Sequence, residues 1–162
     1  MNTVEALSNE VLRVLGTING TGLYDSNLLT IKDAPIAFES VGERGFPAAS
    51  FEINRIENAG GSTGIHRLSY TVDFYLYAKA KRGLTPMQSI TRLVADVERA
   101  LVAQWKLGTT RDNIRADSPG AQFIEWDFSG VGVQVYSVEE RGEGIANEVS
   151  FSAIIHRGYD TP

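Results

Sequence analysis

The stretch from Leu68 to Ala80, LSYTVDFYLYAKA, decides the fold. Leu68, Tyr70, Val72, Phe74, Leu76 and Ala78 recur at every second position, which places them on one face of a strand. Flanking residues extend the reading to 65–79. The opposite face carries Arg67, Ser69, Thr71 and Asp73, then Tyr75 and Tyr77. The strand is therefore amphipathic at its start and apolar on both faces at its end, so a second layer must cover that end.

Upstream, residues 49–56 alternate Phe51 and Ile53 against Ser50, Glu52 and Asn54, the pattern of a half-buried strand. Pro47 stands just before it, where a strand tolerates proline. Between the two strands, Asn58, Ala59, Gly60, Gly61, Ser62, Thr63 and Gly64 are polar or small, and the reading is a long, mobile hairpin tip. Downstream comes the clearest helix. Thr85 is its N-cap, Pro86 occupies its first turn, and Gln88 is placed to close a capping box. Ile90, Val94, Val97, Leu101 and Trp105 form its apolar stripe, and Gly108 ends it. At 1.5 Å per residue it spans roughly 30 Å, enough to cross a sheet.

An amphipathic helix is also predicted for residues 3–18, with Val4, Leu7, Val11, Val14, Leu15 and Ile18 on its buried stripe. Residues 28–31 and 36–38 are short strand candidates. Further strands are expected at 113–116, 122–128, 131–138 and 148–157, with the charged, glycine-containing segment 139–144 as an exposed loop. No repeat or linker divides the chain. The expectation is one α+β domain over residues 1–162, an antiparallel or mixed sheet with a long helix and an N-terminal helix packed on it.

Composition narrows the chemistry. The 162 residues contain 0 cysteines, which removes disulfides, thiol nucleophiles and cysteine-ligated metals. Fifteen Lys and Arg against 20 Asp and Glu give a net charge of −5, unsuited to gripping a nucleic-acid backbone. No apolar run is long enough for a membrane span, and the N-terminal residues lack the pattern of a signal peptide. Gly60, Ser62 and Gly64 match the G-x-S-x-G of a hydrolase elbow, but that elbow requires a helix directly after the serine and here a strand is expected. His66 and His156 have no histidine three or four residues away to complete a metal pair. Gly130 and Gly132 lack the rest of a dinucleotide fingerprint. Lys79, Lys81 and Arg82 form the one basic cluster and read as a solvated turn. A protein without a catalytic, cofactor or metal site is expected.

In the order of its elements the chain resembles the tail terminator, or tail completion, proteins of long-tailed bacteriophages, the minor tail protein U type. The likeness is carried by the amphipathic first helix, the strand LSYTVDFYLYAKA, the capped helix TPMQSITRLVADVERALVAQW and the closing segment NEVSFSAIIHRGY. It implies a non-enzymatic virion subunit, assembled in the host cytoplasm, that forms a ring, usually a hexamer. Such a ring caps the finished tail tube, joins the head-side connector or stopper, and lets DNA pass through its pore without specific binding. On that reading Tyr75, Tyr77 and Ile154 are the expected subunit contacts, being large residues on otherwise polar strand faces. Asn58, Gly60, Gly61, Ser62, Thr63 and Gly64 at the hairpin tip, with Glu139, Glu140, Arg141 and Glu143 in the charged loop, are the expected contacts with tube or connector. Two alternatives are another neck component of related fold, and a small hydrolytic or ligand-binding domain using Ser62 and His66.

Overall fold

Helix α1 spans Thr3–Leu15 and is closed at its start by a capping box, in which Asn2 accepts from the Glu5 amide and the Glu5 carboxylate accepts from the Asn2 amide. The computed structural model describes residues 1–62, 64–81, 83–129, 134–138, 144–159 and 161–162, with residues 55, 59 and 134–138 by backbone alone. After α1 come β1 (Thr30–Lys32), a 3-10 turn at Phe38–Ser40, and the strands β2 (Ala48–Ser62) and β3 (Ile65–Lys79). Helices α2 (Pro86–Lys106) and α3 (Thr109–Asp117) come next, then β4 (Ala121–Asp127), β5 (Gln134–Val138) and β6 (Gly144–Gly158).

The strands form one mixed sheet in the order β1-β2-β3-β6-β4, with β5 also on β6. Strands β1 and β2 run parallel, and the other described pairings are antiparallel. The α+β architecture expected from the periodicities is thus the observed one. Its spine is the β3–β6 pair, matched without interruption from Ile65 opposite Gly158 to Lys79 opposite Gly144. Along its other edge β6 receives β5 at residues 144–148 and β4 at residues 152–157.

Helices α1, α2 and α3 pack on one face. Leu68, Tyr70, Val72, Phe74, Leu76 and Ala78 of β3 are buried there with Phe51, Val149, Phe151, Ala153 and Ile155. Leu7, Val11, Val14 and Leu15 of α1, Ile90, Leu93, Val97 and Leu101 of α2, and Ile114 of α3 face them. Burying each of these large side chains stabilises the fold by roughly 1.5–3 kcal/mol before the cost of ordering the chain. The α2 stripe is the predicted one, and its capping box forms: Thr85 Oγ1 accepts from Gln88 N at 3.2 Å, and Gln88 Oε1 from Thr85 N at 2.9 Å. Beyond it Gly108, at φ 78°, makes the turn into α3.

Two buried carboxylates join the helices and loops. Glu10 of α1 accepts from Thr110 Oγ1 at 2.9 Å, Asn113 Nδ2 at 3.0 Å and Arg13 Nε at 3.0 Å, tying α1 to α3. That hydrogen bonding, with the Glu10 charge, holds the Arg13 guanidinium pKa above its ordinary value. Asp96 of α2 accepts from the Ser26 amide at 2.7 Å and from Arg99 Nη1 at 2.8 Å, while Arg99 also donates to the Leu23 carbonyl at 2.7 Å. Fully buried charges persist only when satisfied in this way.

Several expectations are corrected. Residues 113–116 are not a strand but the end of α3, because Thr110 and Ile114, four apart, are buried together against the other helices. Residues 36–38 are not a strand either, and lead into the 3-10 turn. The chain at 58–62 is part of β2, not a loop. At the far end, Gly144, expected in a loop, begins β6.

Candidate functional site

The hairpin of β2 and β3 reaches past the helix layer, and two bulges shape it. Opposite Val72 and Thr71 stand Ile53 and Arg55, so Asn54 is the extra residue; a second register shift lies between Asn58 and Gly61. The first bulge keeps Ile53 and Ile56, three apart in sequence, on the same side of the sheet. Asn54 turns its amide to Asp73 and to Glu52 Oε1 at 3.0 Å. In the second, Asn58 Oδ1 accepts from the Gly60 amide at 2.9 Å. Gly61, at φ 152°, has the Ile65 carbonyl where a Cβ would lie, so glycine is required there. Asn58, Gly60, Gly61, Ser62 and Gly64 are all exposed. Thr63, Glu139, Glu140, Arg141 and Glu143 lie outside the described residues.

Exposed hydrophobic side chains collect at this end. Ile56 on β2 and Ile65 on β3 are 48% and 42% exposed, and Tyr159, just after β6, is 59% exposed. Tyr159 meets the His66 ring edge-on, with centroids 4.0 Å apart. Ser62 pairs with Ile65 and Gly61 with His66. Successive pairs point to opposite faces, so Ser62 and His66 are turned apart and do not form a serine–histidine couple. The next element after Ser62 is the strand β3, not the helix an elbow needs.

The second face of the sheet is divided. At one end the chain covers itself: Phe38, Val41, Ile36 and Phe46 pack on Ala48, Tyr75, Tyr77 and Ala146. Phe38 meets Tyr77 edge-on, and the Tyr77 hydroxyl donates to the Ile36 carbonyl at 2.7 Å. Tyr77 and Ile154 are each 5% exposed within the single chain. Side chains already enclosed by their own chain have little area left for a neighbour. Ile154 lies between Ser69 and Glu125 in the register, beside an Arg67–Glu125 ion pair of 3.4 Å that crosses β6. Tyr75 is half-buried.

The middle of this face is acidic. Tyr75 donates to Glu52 Oε1 at 2.7 Å, and Asp73 accepts from Asn54 and Ser150. Partial burial, that hydrogen bond and the charges of Glu52, Glu148 and Asp73 all push the Tyr75 phenol well above its ordinary pKa. Beyond Ser50, where the pairing with β1 stops, β2 has no strand on its outer side among the described residues. Its opposite number in the sheet order is β4, which pairs only with β6 among the described residues. Among the described residues the sheet therefore ends in two different open edges. No group of three or more histidine or acidic residues suited to a metal ion occurs among the described residues. Among them, too, no helix is long and apolar enough to cross a membrane.

Comparison with known proteins gives likenesses of shape to solved structures. No family model matches the chain, and no curated protein matches it. A chain in the solved structure titled "Virion of native gene transfer agent (GTA) particle" is similar over 94% of this chain and 94% of its own, at 14% identity and a TM-score of 0.45.

Proposed function

We propose that this protein is a tail terminator-type subunit of a phage-like virion. It assembles as a closed ring, usually of six copies, occupies the growing end of the tail tube, and presents its other side to the head-side connector or stopper. DNA crosses the pore without being held, consistent with a net charge of −5. The reading assigns the protein no reaction and no cofactor.

The supporting observation is that the four segments carrying the family resemblance fold as one unit. Helix α1 and the capped α2 lie on the same face of the uninterrupted β3–β6 pair. A closed ring needs heterologous contacts, one surface of each copy meeting a different surface of the next. Two dissimilar open sheet edges, β2 beyond Ser50 and the outer side of β4, supply surfaces of that kind, since unpaired strand edges favour pairing with another chain. Tyr75, half-buried at the acidic middle of the second face, is the side chain assigned to the subunit contact. The exposed hairpin end with Ile56, Ile65 and Tyr159 is the surface assigned to tube or connector. A neck component of related fold would share this architecture and differ in where it sits on the particle.

The experiment is removal of the protein from a tail-forming system. Tails of uncontrolled length with unattached heads are expected. Uniform tails joined to heads would contradict the assignment.

A further inference from the structure

At the end of β3 opposite the hairpin tip, the loop 25–29, the segment 43–47, the last residues of β3 and the first turns of α2 line a cavity of about 320 Å³. Its walls are held firmly. Asp96 and Arg99 fix the loop through the Ser26 amide and the Leu23 carbonyl, the Leu29 amide donates to the Pro47 carbonyl at 3.0 Å, and Lys81 and Leu84 bridge each other's backbone.

The lining combines charge with apolar surface. Lys79, Lys81 and Arg92 all border the cavity, and none has a carboxylate partner among the described residues. Lys79 instead holds its ammonium 4.7 Å from the Phe46 ring centroid. Asp25 and Glu43 also border it, both exposed and neither paired with these cations. Leu29, 55% exposed, and the half-buried Leu84 supply the apolar part. Ser89 also borders the cavity, and its hydroxyl is buried and without a hydrogen-bond partner among the described residues.

Three cations, none of them ion-paired with the two carboxylates that also border the hollow, form a local site for further carboxylates in a protein that is negative overall. Arginine suits a carboxylate's fork, and lysine adds a point charge. A free anion would leave Leu29 and Leu84 in water, whereas a peptide carrying acidic and apolar side chains satisfies both parts of the lining. We infer that this cavity docks an acidic, leucine-bearing peptide segment of a partner protein. The carboxylates of the segment meet Lys81 and Arg92, and an apolar side chain lies against Leu29 and Leu84. Asp25 and Glu43 keep acidic residues away from their own side and so set the segment's direction. This inference is independent of the tail role.

The test is fluorescence anisotropy of the full chain with a labelled synthetic peptide of alternating glutamate and leucine, against a lysine–leucine peptide of equal length. Preference for the acidic peptide by about tenfold or more is expected, weakening as salt screens the charges. The double variant Lys81→Glu with Arg92→Glu should lose that binding about tenfold, the neutral Lys81→Gln with Arg92→Gln pair less, and Arg115→Glu on α3 should keep it. Both groove residues are exposed, so circular dichroism melting should be unchanged by these substitutions. Equal binding of the two peptides, or equal loss in Arg115→Glu, would overturn the inference. So would displacement of the peptide by equimolar inorganic phosphate, which would mark a free-anion site. Self-association of the protein alone that the groove variants abolish would make the occupant a second copy and also overturn it.

Discussion

The ring of Phe38 meets that of Tyr77 edge to face, with centroids 5.7 Å apart, over the point where Gly144 has no side chain. A Cβ on Gly144 would collide with the Cζ end of the Phe38 ring. Glycine at the first position of β6 thus lets the chain cover its own second face, and the apolar end of β3 finds its second layer within the same molecule.

Gly144→Ala should therefore lift Phe38 from the sheet and destabilise the fold by roughly 1–3 kcal/mol, the usual cost of overpacking. Thermal unfolding checks it. Tyr77→Phe, which deletes only the hydroxyl bonded to the Ile36 carbonyl, should cost about 1 kcal/mol. An unchanged melting temperature in Gly144→Ala would show that Phe38 packs elsewhere.

Glu10→Ala should be among the most damaging single changes. It leaves Thr110, Asn113 and Arg13 without their shared acceptor in a site where Glu10 is 3% exposed, and breaking a buried charged pair costs about 3 kcal/mol or more. Arg13→Ala should cost less, because its side chain is 38% exposed and Glu10 keeps its two other donors. Urea unfolding of the two variants, if equal, would refute this ranking.

Alkaline pH should weaken the protein through Tyr75. Its phenol stays protonated in the folded chain above its ordinary pKa of about 10. A folded-state pKa raised above the unfolded one contributes stability that is fully present below about pH 10 and is lost as pH rises toward the folded value. The buried Tyr70 is shifted in the same direction, chiefly by desolvation. Ultraviolet titration should show tyrosines that ionise late. Tyr75→Phe should flatten the fall in stability above pH 10, and an unaltered profile would remove Tyr75 as its source.

Ser62→Ala should leave folding, assembly and tail joining unchanged, since Ser62 is exposed and turned away from His66. Loss of a hydrolytic activity in this variant would favour the catalytic alternative over the structural one.

The strongest periodicities are legible in the sequence alone. Strict alternation from Leu68 to Ala78 marks β3, and the stripe from Ile90 to Trp105, with its capping box, marks α2. Elsewhere local pattern and tertiary context disagree. The glycines at 60, 61 and 64 read as a loop, yet a ladder is made by backbone, and a bulge lets Gly61 and Ser62 stay paired with β3. Asn113, Ile114, Arg115 and Ala116 alternate like a strand, but the contact that matters is Thr110 with Ile114 along a helix. The covering of Tyr77 comes from residues 36–46, which have no period to read. For the same reason Lys79 and Lys81 read as a solvated turn: the cavity beside them is built by a loop some fifty residues earlier in the chain. The spacing of Ile53 and Ile56 is the available hint of the first bulge.

Ring assembly and tube capping can be seen together by electron microscopy of the purified protein mixed with polymerising tail tubes. Annular particles of several copies, seated on tube ends that then stop growing, are the expected result. A protein that stays monomeric at every concentration, while the tubes lengthen as they do without it, would contradict it.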